Sequence, residues 1–443
     1  MTTTTTPRCP FTGAEGAPAT GAAPAGRPAR TDAAGPGRRT EPPSFPFADV
    51  PGIALDPGHL GRYRDEPLVP VRLGNGRGAL LVTRYDDVRT VLSDDRFSRE
   101  AWAGGTLFAR RSSALALVTS DAPTHTRRRS RVQARFTHRR AEEDRPRIAR
   151  IAAELLDRLR TADGPFDLIA EFTTPFPYRV ICEMLGVPVA DLDRLLPHVT
   201  VMMSAGRFSA EESVRSHAVM YEYFFQQLAA RREAVEAGRP GDDLLTQLLT
   251  APQEIRLSDE EIAVFGFGLM MAGGETTASH LAMCVLQVLT TPGLAGRLRA
   301  DPSAIPGVVE ELLRWVWFAG TGGQPHVAVD EVELAGRVLH PGQVVIPLTD
   351  AANRDPAVFP DGDEFRPEGP AGPHIGFGHG RHMCLGAAHA RVELQEGLAA
   401  VLDRLDGLEL AVDPAELRWR DRMFMRGVWE LPVRLRPARE EPC

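Results

Sequence analysis

Phe377-Gly378-His379-Gly380-Arg381-His382-Met383-Cys384-Leu385-Gly386 sets one cysteine in a glycine-rich loop that runs straight into an amphipathic stretch, 385 to about 405. A cysteine at a helix start meets unpaired backbone N–H groups and the positive end of the helix dipole. Both favour thiolate over thiol. The glycines let the backbone pass close to something flat and bulky. His382, two residues before the cysteine, is placed to reach an anionic edge of that object. A thiolate held against a large planar anion is what a haem-thiolate site requires. Zinc ligation by His379, His382 and Cys384 is the weaker reading, since no second Cys or His pair stands nearby at zinc spacing. An inert cysteine in a structural glycine loop remains open on this segment alone.

About a hundred residues upstream, Ala272-Gly273-Gly274-Glu275-Thr276-Thr277 interrupts a long apolar stretch. Glycine in a helix interior costs about 1 kcal/mol relative to alanine. An acid and a hydroxyl in so apolar a stripe also need a reason. One reading is a packing kink with Glu275 facing solvent. The other is that the glycines open space for a ligand and loosen the helical ladder, while Glu275 and Thr276 organise water and relay protons.

Composition narrows the class. The 443 residues, 43% of them hydrophobic, suffice for a large core, and the net charge of −8 disfavours a general nucleic-acid binder. All 51 basic residues are arginine. The five cysteines, Cys9, Cys182, Cys284, Cys384 and Cys443, are scattered and odd in number, which fits a reducing cytoplasm better than a disulfide framework. Residues 1–44 are rich in Thr, Ala, Pro and Gly and read as a disordered tail, and 437–443 as a C-terminal tail. No segment has the apolar core of a secretory signal or a membrane span.

Between the tails, 45–436 reads as one mainly α domain with a minor β part. Apolar runs at 69–74 and 78–83 flank Gly74-Asn75-Gly76, a hairpin signal, and 85–92 reads as a short helix. Helical periodicity covers 148–159, 172–185 and 221–235. Ser258 followed by Asp259, Glu260 and Glu261 looks like the N-cap of a long helix reaching about 289. A further helix is expected at 306–318 and short strands at 326–349 and 431–435.

The Phe-Gly-x-Gly-x-His-x-Cys-x-Gly segment resembles the haem-binding signature of the cytochromes P450, and Gly-Gly-Glu-Thr resembles that family's oxygen-activation motif. Two more segments match in the same order over about 45–436. Glu311 and Arg314 form a Glu-x-x-Arg about 70 residues before the cysteine, and His125 and Arg129 stand four apart in a basic stretch.

The resemblance implies a haem b between the long helix and the cysteine-loop helix. Cys384 would be its axial ligand, with Phe377, Gly378, His382 and Gly386 in the loop and Ala272 and Gly273 on the opposite face. His125 and Arg129 would meet the propionates. Thr276 and Glu275 would be catalytic, and Glu311, Arg314 and Arg366 would form a structural ion-pair set.

One departure is His326, which stands where the family usually places an arginine. Histidine is often neutral at pH 7, so weaker, pH-dependent propionate pairing is expected there. Arg127, Arg128, Arg129, Arg131, Arg135, Arg139 and Arg140 read either as a solvated helix face or as a docking patch for an acidic electron donor.

By the same resemblance the chain is a soluble, cytoplasmic, monomeric monooxygenase. It would use O2 and electrons from NAD(P)H through ferredoxin reductase and ferredoxin, with no nucleic-acid or membrane partner. Its substrate would be a mid-sized apolar small molecule, hydroxylated or epoxidised in secondary metabolism. Oxidative coupling or ring closure without oxygen insertion is the alternative within the family, and a haem sensor or carrier the alternative outside enzymes. Specificity would lie in 101–120, 201–225, 316–327 and 423–425, with Trp102, Phe108, Met203, Phe318 and Phe424 as lining candidates.

Overall fold

Helices carry the middle of the chain, because its apolar residues recur at helical spacing. In the computed structural model, which describes residues 42–46, 51–54, 66–103, 116–320, 323–369 and 372–436, they run His138–Asp157, Pro175–Leu185, Leu192–Met202, Ala210–Glu236, Asp259–Met270, Thr276–Thr290 and Ile305–Trp315. The tails expected at 1–44 and 437–443 lie outside these residues, except that Ser44 already pairs with Arg72 in a parallel ladder. Phe108 lies outside them too.

Several helices begin earlier than apolar periodicity indicates, because caps extend them over polar residues. Thr137 accepts from the Arg140 amide, so the helix expected at 148 starts at His138. Ser209 and Glu212 form a reciprocal capping box, so the helix expected at 221 starts at Ala210. The stretch at 172–185 is broken instead: a π turn at Ile169–Thr173 precedes a helix with Pro175 in its first turn.

The β part is small and lies to one side. Leu68–Leu73 and Gly78–Val82 form the expected antiparallel hairpin. Val344–Pro347 joins it in parallel, His326–Ala328 pairs antiparallel with that strand, and Phe97–Ser98 closes the sheet against His326–Ala328. Three-stranded and two-stranded sheets complete it.

The largest buried cluster forms where Ala387–Arg404 packs on His138–Asp157 and Thr276–Thr290. Gly397 permits that approach: an added Cβ would lie 2.9 Å from Leu281 and 3.0 Å from Phe176. Leu281 and Leu398 are fully buried there, each worth about 1.5–3 kcal/mol of transfer free energy. Among the described residues no single helix is long and apolar enough to cross a membrane.

Candidate active site

The cysteine loop is closed by its own backbone and pinned from behind. The Cys384 amide donates to Phe377 C=O at 2.9 Å, and Gly378 and Gly380 take positive φ of 75° and 68°. At Gly380 a side chain is doubly excluded, since a Cβ would stand 2.4 Å from Leu92 O. The Phe377 ring lies under the Arg391 guanidinium at 4.6 Å. Arg391 in turn pairs with Glu310, which also meets His374 Nε2 at 2.9 Å. The helix proper starts at Ala387, three residues after the cysteine.

Cys384 has an accessible side chain, yet burial pushes its thiol pKa up. The sulfur is thus accessible while closely surrounded by protein. The Gly386 amide and the charges of Arg129 and Arg391 pull the other way without prevailing. Within the protein alone, desolvation outweighs the few donors that reach the sulfur, since the helix begins three residues further on.

Beside the loop, two imidazoles share a polar corner. The rings of His125 and His382 lie 4.1 Å apart, and the Nε2 atom of each is buried without a hydrogen-bond partner. Burial and the neighbouring cations hold both neutral, with pKa about 4 for His125 and about 2 for His382. Arg129 reaches the loop itself, donating to Met383 C=O at 2.8 Å.

His326 corrects the sequence expectation. Arg99 Nε donates to its Nε2 at 3.1 Å, so that nitrogen carries no proton, and Nδ1 faces Gln324 C=O at 2.9 Å. Burial and Arg99 hold it neutral, at about 3. It has no free N–H to offer a carboxylate and no titration near neutrality. Arg99 is the residue that sequence reasoning missed. The signal was available only in the strand register, because nothing in the local sequence links positions 99 and 326.

On the long helix, Met271–Glu275 forms a π turn between two α segments, a local widening of the ladder that the glycine pair allows. Ala272 is exposed and Thr276 half-buried within a mostly buried helix. The Thr276 hydroxyl donates to Ala272 C=O at 2.5 Å. Gly274 does not open space for a ligand: a Cβ there would meet the Tyr178 ring at 2.4 Å, so it makes room for Tyr178.

Glu275 does not face solvent. It is buried and pairs with Arg420 at 2.6 Å, while Tyr178 OH donates to it at 3.3 Å. Arg420 also donates to Ser279 Oγ at 2.8 Å and lies over the Trp429 ring.

Glu311 and Arg314 are fully buried and joined by two hydrogen bonds of 2.6 and 2.7 Å. Arg366 does not complete that pair as expected. Its backbone N–H donates to Glu311 at 2.7 Å, whereas its guanidinium pairs with Asp361. Arg314 already fills the carboxylate, so a second cation finds no acceptor.

The basic stretch is not a row of free cations either. Arg127 and Arg128 clamp Glu261 at the start of the long helix, Arg135 pairs with Asp144, and Arg139 and Arg140 share Glu143.

Three of the lining candidates converge. The Phe424 amide donates to Met203 C=O at 3.0 Å, Gly320 N–H to Phe424 C=O at 2.8 Å, and Arg426 N–H to Phe318 C=O at 2.9 Å. The tip of the 419–428 turn thus ties together the ends of two other segments. Phe318 also packs edge-on against His280 on the long helix. Trp102 lies elsewhere: it is buried in the sheet cluster with Val327 and Val344.

The donor set fits haem b. It offers an open sulfur, two orphaned imidazole nitrogens beside a half-buried guanidinium, and a loop in which Cβ atoms added at Gly378 and Gly386 would touch nothing within 4 Å.

Comparison with known proteins gives one answer. The sequence model described as Cytochrome P450 matches residues 208–416. Mycinamicin IV hydroxylase/epoxidase of Micromonospora griseorubida is 41% identical over 89% of this chain and 98% of its own. Nocardicin C N-oxygenase of Nocardia uniformis subsp. tsuyamanensis is 38% identical over 89% and 99%. Among solved structures, a cytochrome P450 with biaryl coupling reactivity superposes with TM-score 0.81 at 35% identity, over 88% of this chain and 99% of that one.

Proposed function

The chain belongs to the cytochrome P450 family, and from that membership we propose that Cys384 is the axial thiolate of a monooxygenase acting on a mid-sized, mostly apolar secondary metabolite. Haem b bound by a cysteine thiolate supplies O–O cleavage and transfer of one oxygen atom to a C–H bond or an alkene, using O2 and two electrons from a redox partner. Cys384, Phe377, Gly378, His382 and Gly386 would hold its thiolate side, His125 and Arg129 its carboxylate edge, and Ala272 and Gly273 its opposite face.

The protein's share of the reaction is placement and proton movement. Glu275 and Thr276 stand at the π turn as acid and hydroxyl. Arg420 and Tyr178 fix the carboxylate while leaving it hydrogen-bonded rather than solvated. The apolar side chains of Met203, Phe318 and Phe424 suit an apolar ligand oriented by a few polar groups. Ferredoxin and its reductase deliver the electrons to a monomer in the cytoplasm. Arg139 and Arg140, exposed although each meets Glu143, would offer the docking face, since Arg127, Arg128 and Arg135 are turned to other acids.

The observation that supports this best is Cys384 itself: a desolvated, accessible sulfur in a loop that Phe377 and two positive-φ glycines hold open. The test is a reduced carbon-monoxide spectrum followed by titration of the ferric protein with a natural-product panel that includes mycinamicin IV and nocardicin C. A thiolate spectrum and a low-to-high-spin shift with one compound class are expected. Haem-loaded, folded protein without the thiolate spectrum would remove Cys384 from its role.

Oxidative coupling without oxygen insertion is the second reading. The close structural match to a P450 with biaryl coupling reactivity favours it. Product analysis under labelled O2 separates the two, because only oxygenation places the label in the product.

A further inference from the structure

We propose that Arg99 is the half-buried cation that takes a carboxylate of the bound haem, with His326 as the residue that positions it. The inference rests on the haem reading of Cys384. It comes from the sheet edge. Phe97 pairs with Ala328 and Ser98 with Val327, so the antiparallel register carries Arg99 opposite His326. There Arg99 Nε donates to His326 Nε2 at 3.1 Å, and among the described residues the other acceptor its guanidinium reaches is Val118 C=O, at 3.4 Å.

No carboxylate among the described residues comes within ion-pair distance of Arg99. The nearest acid, Asp121, is already taken: it accepts from the Ser98 hydroxyl and from the backbone amides of Arg99 and Glu100. Burial lowers the Arg99 pKa to about 10, which still leaves it charged at neutral pH. A half-buried guanidinium with an acid nearby but none in ion-pair contact is left short of a direct Coulomb partner to replace the lost water.

The surroundings point to where the anion sits. The charge of Arg99 acts on both His125 and His382, whose orphaned Nε2 atoms lie in the same corner. A guanidinium and two imidazoles whose acidic neighbour Asp121 is already occupied by Ser98 and two backbone amides form a receptor for carboxylate, and a guanidinium fork matches that group geometrically. His326, neutral and fixed by Gln324, cannot donate to the anion. It accepts from Nε and so leaves both terminal nitrogens of Arg99 unclaimed by His326, one of them held only by the long bond to Val118 C=O.

The experiment compares haem-loaded wild type with Arg99→Gln, Arg99→Lys, His326→Gln and the double variant Arg99→Gln/His326→Arg. The readouts are haem transfer to an apo-acceptor, the ferric/ferrous reduction potential, and the reduced carbon-monoxide spectrum. Arg99→Gln is expected to speed haem loss about tenfold or more, as loss of one charged hydrogen-bonded contact implies. It should also lower the potential, because a nearby cation favours the reduced form. Arg99→Lys should keep most of the potential and lose part of the retention, and His326→Gln should shift both in the same direction by less.

The double variant returns a cation from the paired strand and should recover both. Unchanged haem loss and potential in Arg99→Gln, under a normal thiolate spectrum, would overturn the proposal. So would defects that the double variant fails to rescue, since Arg99 would then serve only the sheet edge. If Arg99→Gln does not fold, the double variant decides alone. A wild type without the thiolate spectrum would instead sink the reading of Cys384.

Discussion

Two buried Glu–Arg pairs in this molecule differ in how completely they are satisfied. Glu311 and Arg314 lie one helical turn apart. Both carboxylate oxygens accept from Arg314, whose remaining donors reach the carbonyls of Asn353, Gly362 and Glu364 at 2.7–2.9 Å. Glu275 and Arg420 come from distant segments. Arg420 NH1 is divided between Glu275 and Ser279, its Nε has no partner, and Tyr178 adds only a long bond. The first pair has no donor left to trade and holds loops together. The second retains loose ends at the π turn, an arrangement that would suit a carboxylate exchanging protons.

Breaking the saturated pair should have the largest effect. Arg314→Met would leave a buried carboxylate without its cation and three carbonyls without donors, at a cost of about 3–5 kcal/mol. Against a typical total of about 5–15 kcal/mol, little folded, haem-loaded protein should be recovered. Thermal melting and haem content check this. A variant that melts like the parent would erase the distinction between the pairs.

The loose pair should fail in activity before it fails in stability. Glu275→Gln keeps the shape and a hydrogen bond but not the carboxylate. It should load haem and melt well above Arg314→Met, while product formation falls about 10²-fold. NAD(P)H consumption should fall less, with the difference appearing as peroxide or water. Product per NAD(P)H is the measurement, and unchanged coupling would mean that protons arrive by another route.

Acid probes the wall behind the cysteine loop. Burial alone would raise the Glu310 pKa, but hydrogen bonds from His374 and Arg391 hold it at about 2, below its ordinary 4.5. A carboxylate so depressed contributes stability that is fully present above the ordinary value and is lost as pH falls through the folded one. Haem release should therefore rise as pH drops from 4.5 towards 2. Glu310→Gln should flatten only part of that slope, because Asp144, also held at about 2 by His389 and Arg135, titrates in the same window. An identical slope would mean that Phe377 and Arg391 keep the loop without Glu310.

What the sequence disclosed follows the same division. The cysteine loop, the long helix and Glu311–Arg314 were legible because each is encoded within a few residues: glycines with their φ, a cap, an i,i+3 pair. Arg420, Tyr178 and Arg99 were not, because their partners lie 145, 97 and 227 residues away and only tertiary packing or strand register brings them together. His326 was noticed as a departure but misread, since its tautomer depends on Arg99. Arg366 was misassigned because spacing cannot show that Glu311 is already full, and Trp102 because an aromatic in a loop-flanked stretch reads the same whether it faces ligand or sheet.

The smallest effect should come from the longest bond. Gly274 exists in this helix so that the Tyr178 ring can lie against it, which brings the hydroxyl to 3.3 Å from Glu275. Burial and the Glu275 charge push the Tyr178 pKa well up, so it remains a neutral donor at any working pH. A long neutral bond to a carboxylate that already has a guanidinium is worth no more than about 1 kcal/mol. Tyr178→Phe should thus lower coupling a few-fold at most and leave melting nearly unchanged. If it uncouples as severely as Glu275→Gln, then the tyrosine rather than Arg420 sets the carboxylate's position, and the looseness of the distal pair lies in the wrong partner.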